Sequence, residues 1–247
     1  MNNTATPKIS PMRRLYWLRL VGRCAVLAVC IALLIFRPET FDPLKKGEFF
    51  RSFGLMHILW GIWIFDMLAQ LFPIKKKLAL GSIKLFPRYF KPIREKMNYQ
   101  SIKSYAINTT RSAYKVMLIW CALITVIGIL YFKGILNDVA LFMISVVFYI
   151  CDLICVLVWC PFRLLMHTRC CTTCRIFNWD HLMMFSPMIF INSFYARTLV
   201  IFAVLAWLVW EICCAVYPER FWEQTNDALK CANCTDKLCT QYCQKLR

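Results

Sequence analysis

Residues 139–159 read VALFMISVVFYICDLICVLVW, 21 residues with a single charge, Asp152. About 20 apolar residues in an α-helix cross the roughly 30 Å of a bilayer's hydrocarbon layer. A helix is also one of the few structures that pairs all its backbone groups there. The run therefore predicts a membrane-crossing helix, stopped by Pro161. Four further runs read the same way, at 18–36, 53–72, 116–132 and 198–217, with Pro73 and Pro218 closing two of them. The chain of 247 residues is 60% apolar, with a mean hydropathy of +0.55. Soluble domains average about 45–50% apolar residues. The expected fold class is an all-α integral membrane protein of about five transmembrane helices. Its partner is the lipid bilayer and its expected location the cell membrane, as a multi-pass protein.

Orientation follows from the placement of Lys and Arg, which collect on the cytoplasmic side. Residues 73–115 carry eleven basic residues against one acid, Glu95, so this loop is expected in the cytoplasm. Two helices precede it, which also puts the N-terminus there, in keeping with Lys8, Arg13 and Arg14. Five crossings place the tail, 218–247, on the opposite side, and the loop 160–197 in the cytoplasm. Residues 78–97 mix apolar with basic side chains and are expected to lie on the anionic leaflet, although Pro87 and Pro92 oppose one straight helix. Residues 182–196 are apolar but short and hold Pro187, so they predict an interfacial or re-entrant helix. A full crossing there would bring the tail to the cytoplasmic side. Trp17, Trp159, Trp210 and Tyr217 fall at helix ends, as interfacial anchors do. The net charge of +17 fits the same rule, and no nucleic-acid-reading motif accompanies it, so nucleic acid is not an expected partner.

Fifteen cysteines stand out. Cys24, Cys30 and Cys121 are scattered in helices and read as small buried apolar residues. Six others, Cys151, Cys155, Cys160, Cys170, Cys171 and Cys174, surround the end of the fourth helix. Cys171 and Cys174 form a C-x2-C pair that Cys160 or Cys170 extends toward four thiolates. In a reducing compartment such thiolates suit zinc or an iron–sulfur cluster. The tail repeats the theme with Cys231, Cys234, Cys239 and Cys243. Outside the cell these predict two disulfides, and inside a four-thiolate metal site. Both readings stand at this point.

Trp159-Cys160-Pro161-Phe162 resembles the Cys-Pro motif that follows a helix in polytopic membrane iron–sulfur proteins of the NapH type. That family has C-x3-C-P, whereas Cys155 and Cys160 here give C-x4-C-P. The resemblance covers some ten residues and implies a cluster at a membrane surface.

Three carboxylates fall within crossing runs: Asp66, Asp152 and Glu211. Such groups cost several kcal/mol unless paired or protonated, and they often mark transport or proton paths. Arg19, Arg23 and His57 are available to satisfy them. Asp66 is the most central, and Glu211 reads as structural. Asp180-His181 reads either as an acid–base pair or, preferably, as a helix start capped by Asn178 or Asp180. No Walker A loop, G-x-G-x-x-G, H-E-x-x-H or G-x-S-x-G motif occurs. Two functions follow. One is a membrane anchor or electron-transfer subunit holding a Cys-ligated metal or iron–sulfur centre and working with other protein subunits. The other is a small membrane transporter or scaffold with structural cysteines.

Overall fold

The computed structural model describes residues 11–234, except 52, 73–80, 94, 96, 97 and 169. The chain is all-helical, with no strand among the described residues. Its helices are α1 (Pro11–Phe36), α2 (Leu55–Leu71), α3 (Tyr99–Phe132), α4 (Asp138–Leu157), α5 (Phe162–Met166), α6 (Asp180–Phe185) and α7 (Phe194–Val216). Four of them, α1, α3, α4 and α7, are long and apolar enough to cross a membrane, and α2 is a shorter apolar helix of 17 residues.

Capping side chains set several starts. The Asn98 carboxamide oxygen accepts from the Gln100 amide, Asn137 from that of Ala140, and the Ser193 hydroxyl from that of Ala196. Asn98 starts α3 well before the apolar run at 116, so α3 has a polar first half, which meets the tail where Tyr105 stacks on Trp222. Apolar periodicity alone had predicted only the second half. Between α3 and α4 the chain turns at Gly134, whose φ of +75° favours glycine.

The helices pack around a core of Trp63, Phe142, Phe185, Tyr195 and Leu199, each at 0% exposure. One end of the bundle carries residues 37–51, 53 and 54 and the α3–α4 turn. Phe41 there packs on Phe142, and Phe49 on His57 and Phe194. The other end carries residues 81–93, 95, 98, 160–168, 170–179 and 218–234, and is called the basic face below. α1 starts at the basic face, where Tyr16 and Leu20 pack beside Leu153 and Leu157.

Residues 180–193 correct the expected topology. Asp180 accepts from Gln70 Nε2 at 3.1 Å, at the basic-face end of α2. Ten residues later Phe190 packs on Tyr131 and Phe132, at the opposite end of α3. α6 and the 3-10 turn Ser186–Phe190 therefore traverse the whole bundle, and the segment is neither interfacial nor re-entrant. It is legible neither as a span nor as a loop because it is short and Pro187 breaks it. Protein surrounds it, so its irregular backbone is sheltered from lipid. A Cβ on Gly128 would meet the Phe190 ring at 2.5 Å, so glycine makes room for the traverse.

This extra pass returns α7 to the basic face, and the tail lies there, opposite to the five-helix expectation. The tail pairs with the basic loop. Ile93 N–H donates to Thr225 O at 3.0 Å, Asp227 N–H to Lys91 O at 2.9 Å, and Tyr105 Oη to Phe221 O at 2.9 Å. In residues 81–93, expected on the leaflet, Pro87, Arg88, Lys91 and Pro92 are exposed while the start of the segment packs inward. Ser82, Lys84 and Leu85 are buried against protein. Trp210 is no interfacial anchor either, being fully buried with its indole donating to Arg175 O at 2.7 Å. Trp17, Trp159 and Tyr217 are exposed, as anchors are.

Candidate functional site

The polar residues of the crossing helices converge in the half of the bundle nearer the basic face. Arg23 on α1 meets Asp152 on α4 at 2.7 Å. Its guanidinium also donates to Tyr149 O and lies over the Tyr149 ring, 3.8 Å from the centroid. One helical turn separates Tyr149 from Asp152, so α4 presents both to the same arginine. From α6, Asp180 and His181 approach each other at 3.3 Å, and Gln70 reaches Asp180 from α2. Asp180 lies within electrostatic range of Arg23 and Asp152, and Asp66 within range of His181 and Tyr149.

The cluster holds three carboxylates against one guanidinium and one imidazole. With His181 protonated its net charge is −1. In an apolar bundle that excess is costly, and taking up a proton or a cation relieves it. Asp180 Oδ1 and His181 Nδ1 are buried and lack an aligned hydrogen bond to any protein group. Asp66 and Asp152, both expected from the sequence, both lie within electrostatic range of Tyr149 and His181. Asp180 and His181 join them as an acid–base pair. Neither Asn178 nor Asp180 caps α6, whose N-cap is Trp179, and the Asn178 side chain instead accepts from Ser82 Oγ.

Glu211 lies elsewhere. It holds Arg175 through both carboxylate oxygens, at 2.7 and 2.5 Å, and accepts from Trp179 Nε1 at 2.8 Å. This clamp ties residues 175–179 to α7. Beside it, Lys84 is 2% exposed, with its ammonium near the rings of Trp210, Phe221 and Phe177 at 5.1, 5.6 and 5.8 Å. The Cys174 carbonyl accepts from it at 3.2 Å. Burial pushes this lysine down to about 8.

The thiols near α5 gather around Arg163 without closing into a ligand shell. Arg163 donates to Cys171 Sγ at 3.2 Å. Burial pushes the Cys171 thiol up to about 11, opposed by Arg163, and raises Cys174 as well. Cys160 goes the other way, to about 6, because its sulfur accepts from the Cys155 thiol and from the amides of Phe162 and Arg163. Among the described residues no three of His, Cys, Asp and Glu are grouped as metal ligands. Cys170 adjoins this group, and Cys231 and Cys234 lie at the same face in the tail. Cys239 and Cys243 fall outside the described residues.

No protein-family model, curated protein or solved structure matches the chain.

Proposed function

We propose that this multi-pass membrane protein is a small transporter that binds and releases protons at the Arg23–Asp66–Asp152–Asp180–His181 cluster. The observation that carries the reading is the excess of half-buried carboxylates near one arginine and one histidine, gathered from four chain segments far apart in sequence. Apolar packing surrounds the cluster, so each protonation change there alters the energy of the bundle. His181 titrates in the physiological range in its ordinary state, which suits it to pass protons between carboxylates. The test is reconstitution into vesicles enclosing a pH-sensitive dye, with a pH step applied outside. The wild type dissipates the gradient. Asp66→Asn and His181→Gln slow it at least about tenfold. Equal rates for the wild type, both variants and empty vesicles would overturn the reading.

A second reading rests on the shared face of the thiols. Cys170, Cys171 and Cys174 with the tail cysteines would bind zinc or an iron–sulfur cluster, and the protein would anchor or pass electrons to other subunits. Soft thiolates beside Arg163 and Lys84 suit such a centre. Metal and acid-labile sulfide analysis of protein purified without oxygen tests it. Stoichiometric metal that is lost in Cys171→Ser/Cys174→Ser supports the reading, and metal-free protein removes it.

A further inference from the structure

Two polar groups lie deep in the apolar core of the bundle. The indole of Trp63 on α2 and the phenol of Tyr195 on α7 are each 0% exposed. Neither Trp63 Nε1 nor Tyr195 Oη meets a hydrogen-bonding partner among the described residues. The buried indoles of Trp179 and Trp210 differ, donating to Glu211 at 2.8 Å and to Arg175 O at 2.7 Å. A buried polar group without a protein partner is costly, and bound water is the partner that most often satisfies it. The two groups also fall on one line. Tyr195 starts α7 at the end opposite the basic face, its ring 6.2 Å from that of Phe142. Phe142 meets Trp63 at 5.9 Å, and Trp63 meets Tyr149 at 5.8 Å and Phe185 at 5.2 Å. Phe185 in turn stacks on His181. On α4, Phe142, Ser145, Tyr149 and Asp152 recur every three or four residues and share one face. Ser145 is fully buried, and its hydroxyl donates to Leu141 O while its lone pairs can still accept. Trp63, Asp66 and Gln70 share a face of α2 in the same way. Polar groups thus descend from Tyr195 through Trp63 and Ser145 to Asp66, Asp152 and His181.

We infer that a file of bound water occupies this line, held by Tyr195, Trp63 and Ser145 and ending at the carboxylates of Asp66 and Asp152. Each side chain has its own task. The indole is a donor only, so it fixes a water by its oxygen. The phenol both donates and accepts, so it can take a proton from one water while giving its own to the next. Resting on the proton reading, the file is the path between the cluster and the face opposite the basic face. A proton enters from solvent at that face. Each group along the file gains one proton and gives up another, so the file itself is unchanged. The last water protonates a carboxylate, and the cluster loses one negative charge. Tyr195 and Trp63 are thereby positioning residues for water, set apart from the groups that hold the proton.

The experiment is X-ray hydroxyl-radical footprinting of the full chain in detergent, read by peptide mass spectrometry. Radicals formed from bound water oxidise the side chains beside it, however deeply they are buried. Trp63 and Tyr195 are expected to be oxidised at least about tenfold faster than Trp210, which is equally buried but bonded to protein. Equally slow oxidation of all three would overturn the inference. Tyr195→Phe keeps the ring and removes only the hydroxyl. It is expected to slow the decay of a pH gradient in vesicles at least about tenfold without lowering the melting temperature in detergent. Wild-type vesicles that pass no protons, with Trp63 and Tyr195 readily oxidised, would refute the proton reading and uphold the water file. Proton flow unchanged in Tyr195→Phe, with Trp63 and Tyr195 as slow as Trp210, would uphold the reading and overturn the file.

Discussion

Arg23 and Asp152 stand 129 residues apart in the chain and 2.7 Å apart in space. The pair joins α1 to α4 through the part of the bundle where neither charge would be tolerated alone.

Removing one partner of a buried pair leaves the other charge uncompensated, at a cost of about 3–5 kcal/mol. Arg23→Gln is therefore expected to lower the melting temperature in detergent strongly. Asp152→Asn leaves an arginine that still rests on Tyr149, so it costs less. The double variant recovers stability relative to Arg23→Gln alone. Additive losses in this cycle would show that the pair is not coupled.

Glu211 gives a second contrast. Glu211→Gln leaves Arg175, 6% exposed, without its counter-charge, and is expected to cost about 3–5 kcal/mol. The loop it clamps loosens with it. Cys174, buried in the folded chain, then reacts with a maleimide at least about tenfold faster than in the wild type. An unchanged labelling rate would mean that other contacts hold the loop.

Lys84 makes stability depend on alkaline pH. The folded ammonium titrates near 8 and an unfolded lysine near about 10.4. Between those values the unfolded chain binds more protons, so stability rises with pH across that window. Below pH 8 both states are charged and the folded one bears the whole cost, about 3 kcal/mol. Lys84→Met is thus expected to be more stable than the wild type at pH 7, and to match it near pH 10. Parallel unfolding profiles from pH 7 to 10 would refute this.

The junction of tail and basic loop depends on Asn226. Its side chain accepts from the Lys91 and Ala228 amides and donates to Arg220 O, at 3.2, 3.1 and 2.9 Å. Asn226→Ala leaves those part-buried groups without this partner, at about 1–3 kcal/mol each at most. Trypsin is expected to cut at Lys91 and Lys230 faster in the variant. In sealed vesicles, protease added on one side removes both the basic loop and the tail, and protease on the other side removes neither.

The crossing helices were readable because length and apolarity suffice to identify them. The polar start of α3 was not, since residues 99–115 have no continuous apolar face to mark them. The side of the tail turned on 14 residues, 180–193, which cross by combining a short α-helix with a tighter 3-10 turn. A search for spans of 20 apolar residues passes over such a segment. Asp66 and Asp152 were legible as carboxylates in apolar runs, but their meeting with Asp180 and His181 depended on that same crossing. Cys160 was legible as part of a thiol group, whereas the turn that ends α4 just before it, with Val158 and Trp159 N–H both donating to Ile154 O, is a feature of backbone geometry.

The traversing segment also dictates how the protein is assembled in its membrane. Residues 180–193 are too short and too interrupted for the insertion machinery to accept by themselves. Their shelter consists of helices synthesised before them and of α7, synthesised after. They therefore enter the bilayer together with α7, as the first arm of a hairpin that slides into an assembled bundle. A nascent chain halted before α7 keeps this segment at the basic face, with its carboxylate and imidazole in water. The cluster of Arg23, Asp152, Asp180 and His181 is accordingly among the last parts of the protein to form.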